Sequence, residues 1–203
     1  PQTELRPGPE IAALRTREAR CASLALGLSE PLFMEFGDGT LGNRRQPGQD
    51  IPAKLSQSVA ALLASYQPDV ILTWGPEGGY GHPDHRMVSA VVTELVQQSV
   101  PGTPRTLVYP GMPNGTIPDV PEAKTIGWIT SDPALLLVKV AYSQQDLEAT
   151  KNAFLCHASQ YPAPLLETAP LLFDSAIWRG TVHLRGAFER MEGDDLFALD
   201  RAK

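Results

Sequence analysis

Two histidines and an aspartate fall within four consecutive positions of the sequence, in a segment otherwise dominated by glycine. This segment, residues 78–85, reads Gly-Gly-Tyr-Gly-His-Pro-Asp-His. Its glycines allow sharp backbone turns, and Pro83 restricts the conformation of the preceding His82. Imidazole and carboxylate groups are zinc ligands, and a catalytic zinc takes about three protein ligands while keeping a position for water. The segment therefore predicts a loop that holds His82, Asp84 and His85 for metal or substrate binding, rather than a plain turn.

The residues before this segment predict where it lies in the fold. Residues 70–73, Val-Ile-Leu-Thr, form a run that is apolar on both faces, which is typical of an interior strand of a parallel sheet. Ligands of open α/β sheets bind at the carboxyl ends of such strands. We therefore expect His82, Asp84 and His85 to line one concave site beyond this strand. The segment is not a phosphate-binding P-loop, because no Lys-Ser or Lys-Thr follows its glycines.

Periodicity along the rest of the chain predicts alternating helices and strands. Helical spacing of apolar residues predicts helices over residues 11–26, 52–66, 87–96 and 144–156. Short apolar or alternating runs predict strands over residues 31–36, 106–109, 125–129, 136–140 and 181–184, and the Pro-rich residues 162–170 predict a surface loop. Repeated strand, loop and helix units favour an α/β fold in which a mostly parallel sheet is flanked by helices. The length of 203 residues predicts a single domain over residues 1–203.

The composition excludes several classes of partner. The formal net charge is -6, with 17 Lys and Arg against 23 Asp and Glu, so we expect no nucleic acid partner. No apolar run reaches the roughly 18 residues of a membrane span, and the start of the chain carries no apolar leader. The two cysteines, Cys21 and Cys156, are isolated in the sequence, which predicts buried free thiols in a reducing compartment. These features predict a cytoplasmic protein without a membrane span, and they leave homo-oligomer formation open.

Residues 78–85 resemble the second metal motif of the LmbE and PIG-L zinc-dependent N-acetylglucosaminyl deacetylases, which carry a His-Pro-Asp-His run after a buried strand. Three weaker matches follow the order of that family along the chain. Residues 15–18 resemble its Arg-x-x-Glu helix, Asp38 resembles its strand-end aspartate, and residues 151–160 resemble its late lysine and His-x-Ser-Gln helix. The resemblance implies a Rossmann-like layered fold and hydrolysis of an N-acetyl group from an amino sugar or a similar conjugate.

The resemblance also implies roles for the residues of the segment. His85 would be a ligand of the zinc cofactor, and His82 would stabilise the oxyanion that forms on the acyl carbonyl. Asp84 would hydrogen-bond and orient His82, and Tyr80 would reach the scissile carbonyl. These roles agree with the chemistry of the side chains, since an imidazole beside a carboxylate favours its charged form and zinc activates water toward an amide.

The implied substrate contacts lie elsewhere in the chain. Arg15 and Asp38 would bind sugar hydroxyls of the substrate. For Arg15, a solvated charge on an amphipathic helix is the alternative, because such charges are common there. For His157, the position at a helix end favours a structural role, since polar groups near helix ends often bond to the backbone.

One element of the family's pattern is missing from the sequence. The first metal motif, a His-Pro-Asp-Asp run that supplies the other zinc ligands and the general base, does not occur in residues 1–203. His183 lies in a strand-like stretch without a neighbouring carboxylate and cannot replace it. We therefore expect the first strand, helix and strand of the domain to precede Pro1, and the 203 residues alone to bind zinc weakly or not at all and to be inactive. The alternatives are a non-catalytic binding or structural homologue and another metallohydrolase, such as a phosphoesterase.

Overall fold

The computed structural model describes residues 8–42 and 50–201 of the chain. The chain divides into two compact units. The first consists of Pro1–Phe33 and Tyr142–Gly180, and the second of Met34–Ala141 and Thr181–Lys203. The single domain over residues 1–203 stays a prediction.

Helices and strands alternate along the described chain. The helices are α1 (Pro9–Ala25), α2 (Ile51–Tyr66), α3 (Gly78–Gly81), α4 (Pro83–Gln97), α5 (Pro121–Ile126), α6 (Gln144–Leu155) and α7 (Ala163–Leu172). The strands are β1 (Val70–Leu72), β2 (Thr106–Pro110), β3 (Val138–Ala141), β4 (Thr181–Gly186), β5 (Met191–Glu192) and β6 (Asp200–Arg201). A 3₁₀ turn, Pro133–Leu135, precedes β3, and a π-helical segment, Phe173–Trp178, follows α7. The α/β class predicted from the sequence is confirmed.

A four-stranded mixed sheet forms the centre of the second unit, in the order β1-β2-β4-β3. Strand β1 is parallel to β2, whereas β4 is antiparallel to both β2 and β3. The described sheet is therefore mixed, because β4 inserts between β2 and β3 in the opposite direction, and the prediction of a mostly parallel sheet is not confirmed. Strand β1 was predicted to be an interior strand, but it lies at the end of this order, and its Leu72 is 56% exposed. Strands β5 and β6 form a separate antiparallel pair.

The two faces of this sheet are covered by different elements. Leu107 and Tyr109 of β2 pack with Val92 and Val96 of helix α4 on one face. Val108 alternates to the opposite face, where it packs with β3 and β4 residues and with the segment that includes β5. Each fully buried aliphatic side chain contributes about 1.5–3 kcal/mol relative to an exposed one. The burial of both sheet faces holds β1 and α4 in place; β1 precedes residues 78–85, and α4 contains the last three of them.

The first unit is helical. Helix α1 packs against α6, and α6 packs against α7. Ser143 and Asp146 form a reciprocal capping box at the start of α6, in which each side chain accepts a hydrogen bond from the other residue's backbone amide. A disulfide joins Cys21 of α1 to Cys156 at the end of α6, with 5.8 Å between their Cα atoms. The prediction of two buried free thiols is therefore wrong, because the packing of α1 on α6 brings together cysteines that are 135 residues apart.

Most of the predicted elements before residue 110 are confirmed. Helix α1 ends close to Gly27, which has a left-handed φ of 69°. Helix α2 and strands β1 and β2 lie within a residue or two of their predicted ranges. Helix α4 begins at Pro83, four residues earlier than predicted, because proline fits the first turn of a helix, where no backbone N–H bond is lost.

Residues 31–36 were predicted to be a buried strand, and this prediction is wrong. The segment has no regular secondary structure and no strand partner among the described residues. Leu32 and Phe33 are 59% and 45% exposed. Glu35 adopts a left-handed φ of 55°, which interrupts a regular strand.

Two predictions in the later half are also wrong. Residues 125–129 were predicted to be a strand, but α5 covers Pro121–Ile126, with proline in its first turn and Gly127 in a left-handed conformation after its end. Residues 162–170 were predicted to be a loop, but α7 covers most of them. Pro164 lies in the first turn of α7 and costs no hydrogen bond, and Pro170 is accommodated where the helix widens into the π-helical segment. Strand β3 overlaps its predicted range, and β4 contains His183 as predicted.

No helix within the described parts of the chain is both long enough and apolar enough to cross a membrane.

Candidate functional site

His82 and His85 lie side by side at the start of helix α4. His82 is the N-cap residue of α4, and its Nδ1 accepts a hydrogen bond from the backbone amide of Asp84 at 3.2 Å. His85 lies three residues further, in the first turn, and residues with this spacing are neighbours on a helix surface. The two imidazole ring centres are 4.7 Å apart. His85 therefore belongs to a helix rather than to the predicted loop, and the helix fixes its distance from His82.

The hydrogen-bond partners of the two imidazoles give them opposite tautomers. Nδ1 of His85 lies 3.2 Å from the carbonyl oxygen of Gly78, which can only accept, so His85 carries its proton on Nδ1. Nδ1 of His82 is itself an acceptor, so its proton lies on Nε2. His85 thus presents a lone pair on Nε2, as a metal ligand requires, and His82 presents an N–H donor.

Two aromatic residues contact the imidazoles, and a third packs on one of them. The ring of Trp74 stacks on His85 with 4.4 Å between centres and an angle of 4° between planes. Tyr80 lies edge-on to His85 at 5.3 Å and to His82 at 5.8 Å. Trp128 lies edge-on to Tyr80 at 5.4 Å. The sequence indicated Tyr80 but not the tryptophans; the position of Trp74 directly after a predicted strand was the available signal, and nothing local marked Trp128.

Asp84 holds the loop that carries Asp38. The buried carboxylate of Asp84 accepts hydrogen bonds from the backbone amides of Gly39 at 2.8 Å and Gly42 at 3.0 Å. Its link to His82 runs through the Asp84 backbone amide rather than through the carboxylate. The orienting role of Asp84 toward the imidazole stays a prediction, and the structure adds a contact that positions the exposed Asp38.

Burial sets the charge state of His85. Desolvation lowers the pKa of His85, and the neighbouring His82 lowers it further, while the carbonyl of Gly78 and the carboxylates of Asp84 and Asp38 act in the opposite direction. The net shift of the pKa is downward. His85 is therefore neutral near neutral pH, which keeps its lone pair available.

The described residues fit a zinc ion only in part. His85 offers one suitably protonated imidazole, whereas a catalytic zinc takes about three protein ligands. Within residues 8–42 and 50–201, no group of three or more His, Cys, Asp or Glu side chains is arranged to hold a metal. The weak zinc binding predicted for residues 1–203 alone stays a prediction.

Arg15, the other predicted substrate residue, lies on α1 in the first unit. Its Nε donates to the hydroxyl of Ser159 at 3.1 Å. Ser159 in turn donates from its backbone amide and its hydroxyl to the buried carboxylate of Glu18, at 2.6 and 2.9 Å. Gln160 donates to Glu18 at 3.2 Å and bonds to His157 at 2.8 Å. Arg15 is thus part of a hydrogen-bonded cluster rather than a purely solvated charge. His157 contacts the side chain of Gln160, and its helix-end role toward the backbone stays a prediction.

Glu18→Gln is expected to lower the free energy of unfolding at pH 7 by about 1–2 kcal/mol, because it weakens hydrogen bonds to a buried charge. Burial alone would raise the pKa of Glu18, but the hydrogen bonds from Ser159 and Gln160 and the charge of His157 outweigh it and lower the pKa below 4.5. The ionised carboxylate therefore stabilises the fold above pH 4.5, and this contribution is lost as the pH falls through the lowered pKa. Urea unfolding at pH 7 and pH 3 measures the effect.

The exposed Glu10, also on α1, provides the matched control. Glu10→Gln should change stability by less than about 0.5 kcal/mol at either pH. A Glu18→Gln effect of equal size at pH 3 and pH 7 would contradict the ionised state assigned to Glu18.

Comparison with known proteins adds to this description of the site. The family model described as PIG-L, GlcNAc-PI de-N-acetylase, matches residues 1–96. A relative from Saccharomonospora viridis, named 1D-myo-inositol 2-acetamido-2-deoxy-alpha-D-glucopyranoside deacetylase, is 32% identical over 102 residues, which are 45% of this chain and 38% of the relative. A relative of the same name from Rhodococcus opacus is 25% identical over 188 residues, which are 74% of this chain and 62% of the relative. Both alignments span less than two thirds of the relative's own length.

The fold and the paired imidazoles define an α/β protein with a histidine-based site between β1 and α4. Residues 78–85 lie within the part of the chain that the family model matches. Over residues 1–96 the chain is similar to the PIG-L/LmbE family, as the resemblance of residues 78–85 predicted.

Proposed function

We propose that this protein takes part in the hydrolytic removal of an acetyl group from the nitrogen of an amino sugar or a related conjugate. The observation that carries the proposal is the pair of oppositely protonated imidazoles of His82 and His85, with ring centres 4.7 Å apart. One ring offers a lone pair and the other an N–H donor, and amide hydrolysis uses both. The names of the two relatives, both deacetylases of a 2-acetamido sugar linked to inositol, support the substrate class.

In this proposal each residue of the site has a separate task. His82 donates its Nε2–H to the oxyanion that develops on the acyl carbonyl, and the half-exposed Tyr80 lies beside it to contact the same carbonyl. His85 would be the zinc ligand, and zinc, when bound, would supply Lewis acidity toward the carbonyl. Asp84 fixes the loop from Gly39 to Gly42. The hydrolysis breaks the amide C–N bond and yields acetate and a free amine.

Substrate contacts are assigned to Asp38 and Arg15. Asp38 is exposed and lies on the loop that Asp84 holds through Gly39. A carboxylate in such a position accepts hydrogen bonds from sugar hydroxyls. Nε of Arg15 donates to Ser159, and the guanidinium carries further N–H donors on its Nη atoms that suit paired hydroxyl oxygens.

The complete gene product that contains residues 1–203 is expected to release free amine from the N-acetylglucosaminyl conjugate of inositol. The measurement is amine release by a fluorogenic reagent, with acetate quantified in the same reaction. Phosphate monoesters serve as the control substrates, because they test a phosphoesterase. Binding of the acetylated sugar without release of acetate would overturn the proposed hydrolase activity and would support a non-catalytic binding protein.

A further inference from the structure

An ion pair anchors the start of residues 78–85 to the central sheet. Nη2 of Arg185 on β4 lies 2.8 Å from Oε2 of Glu77, and the two side chains are only 20% and 16% exposed. The guanidinium carbon of Arg185 also lies 4.9 Å from the ring centre of Tyr109 on β2. Such a shielded pair is less screened by solvent than a surface pair. Because β4 is an inner strand of the sheet, Arg185 is a rigid support for Glu77.

The ion pair packs directly on the backbone that leads into the site. A Cβ atom added at Gly75 would lie 2.4 Å from the Glu77 carboxylate and 2.7 Å from Nη2 of Arg185. The carbonyl of Gly75 accepts a hydrogen bond from the amide of Gly78 at 2.9 Å, which closes a turn over residues 75–78. The ion pair therefore fixes the turn immediately before residues 78–85.

Two hydrogen bonds carry this support on to His85. The carbonyl of Glu77 accepts from Nε of Arg86 at 3.1 Å. The next carbonyl, that of Gly78, is the partner of Nδ1 of His85 at 3.2 Å. Consecutive peptide groups cannot move independently, so the position of Glu77 limits the position of the Gly78 carbonyl. That carbonyl selects the tautomer of His85.

We propose that Arg185 is a positioning residue for His85. Through Glu77, Arg185 holds the Gly78 carbonyl where it accepts a hydrogen bond from the Nδ1–H of His85. The Nε2 of His85 is then unprotonated. The consequence for zinc affinity rests on the proposed function of His85 as a ligand, whereas the consequence for the tautomer does not. Arg185 lies 108 residues from Glu77 and touches neither imidazole in the described contacts.

The test is ¹⁵N imidazole NMR at pH 7.5, with the His85 resonances assigned from the His85→Gln spectrum. The wild type is expected to show His85 protonated on Nδ1. Arg185→Met should give a mixture of both tautomers, Glu77→Gln a smaller change, and Arg185→Lys partial retention, because lysine keeps the charge without the planar fork. Lys124→Met removes a cation from an exposed ion pair with Asp119 and should change nothing at His85.

Zinc titration of the same variants in the complete gene product gives the second readout. Arg185→Met should weaken zinc binding about 10-fold, the lower end for loss of a group that orients a ligand. The proposal would be overturned if Arg185→Met kept the Nδ1 proton of His85 and a zinc affinity within about 2-fold of wild type. An ion pair that only stabilises the fold would change the melting temperature alone. If Arg185→Met does not fold, the His85 tautomer and the zinc affinity of Glu77→Gln and Arg185→Lys test the proposal instead. A wild type that binds no zinc would contradict the proposed function but leave the tautomer measurement to judge Arg185.

Discussion

His82→Ala is expected to lower the turnover of the complete gene product by about 100-fold or more, while its zinc content stays unchanged. The loss corresponds to one oxyanion donor, roughly 2.7 kcal/mol of transition-state stabilisation. Nδ1 of His82 is occupied by the Asp84 amide, so only its Nε2–H can serve the substrate. The measurements are steady-state kinetics on the acetylated sugar and metal analysis by mass spectrometry on the same preparation.

His85→Ala is expected to lower zinc content and turnover together, because it removes the only imidazole at the site whose Nε2 lone pair is free in the described structure. The two alanine variants should therefore separate on the metal measurement. Equal loss of zinc in both variants would contradict the assignment of His85 as the zinc ligand and His82 as the oxyanion donor. Unchanged turnover in both would contradict the hydrolase.

His82 also caps helix α4, and this second role requires a control. Loss of an N-cap costs about 1 kcal/mol of stability, so His82→Ala both destabilises the start of α4 and removes the Nε2–H donor. Serine is a good N-cap residue whose side chain is too short to reach a substrate in place of the imidazole. His82→Ser should restore the melting temperature but not the turnover, which would assign the kinetic loss to the missing Nε2–H.

Cys21→Ser with Cys156→Ser is expected to lower the free energy of unfolding by about 2–4 kcal/mol. The disulfide closes a loop of 135 residues, and a long loop loses much entropy in the unfolded chain when it is cross-linked. For a chain of this size the change corresponds to a fall in melting temperature of roughly 4–16 °C. Thermal unfolding with and without dithiothreitol measures it.

The double serine variant should not respond to dithiothreitol, whereas the wild type should lose stability to about the level of the variant. Two titratable thiols in the native wild type under non-reducing conditions would contradict the disulfide. The same bond bears on the cellular location, because disulfides persist mainly in oxidising compartments. The cytoplasmic location predicted from the sequence stays a proposal, and thiol trapping in intact cells would test it.

The residues of the site could be predicted from the sequence because they are local, whereas their geometry was predicted to be a loop and is the start of helix α4. His82, Asp84 and His85 lie within four positions, and a helix that begins at Pro83 fixes their spacing whatever surrounds it. The strand before them and helices α1, α2 and α6 follow from apolar periodicity and capping residues. Residues 125–129 and 162–170 were misread because short apolar or Pro-rich runs fit more than one structure, and the prolines lie where helices tolerate them.

By itself, then, the sequence determined the chemistry offered at residues 78–85 and the α/β class, since residue type and short-range spacing specify both. Only the tertiary structure decided the mixed sheet, the contact of Trp128 with Tyr80, the Cys21–Cys156 disulfide and the support of Glu77 by Arg185. The hydrogen bonds that Ser159 donates to Glu18 and Arg185 donates to Glu77 join residues 141 and 108 positions apart. Contacts at such separations depend on how whole helices and strands pack, and no local pattern in the chain encodes them.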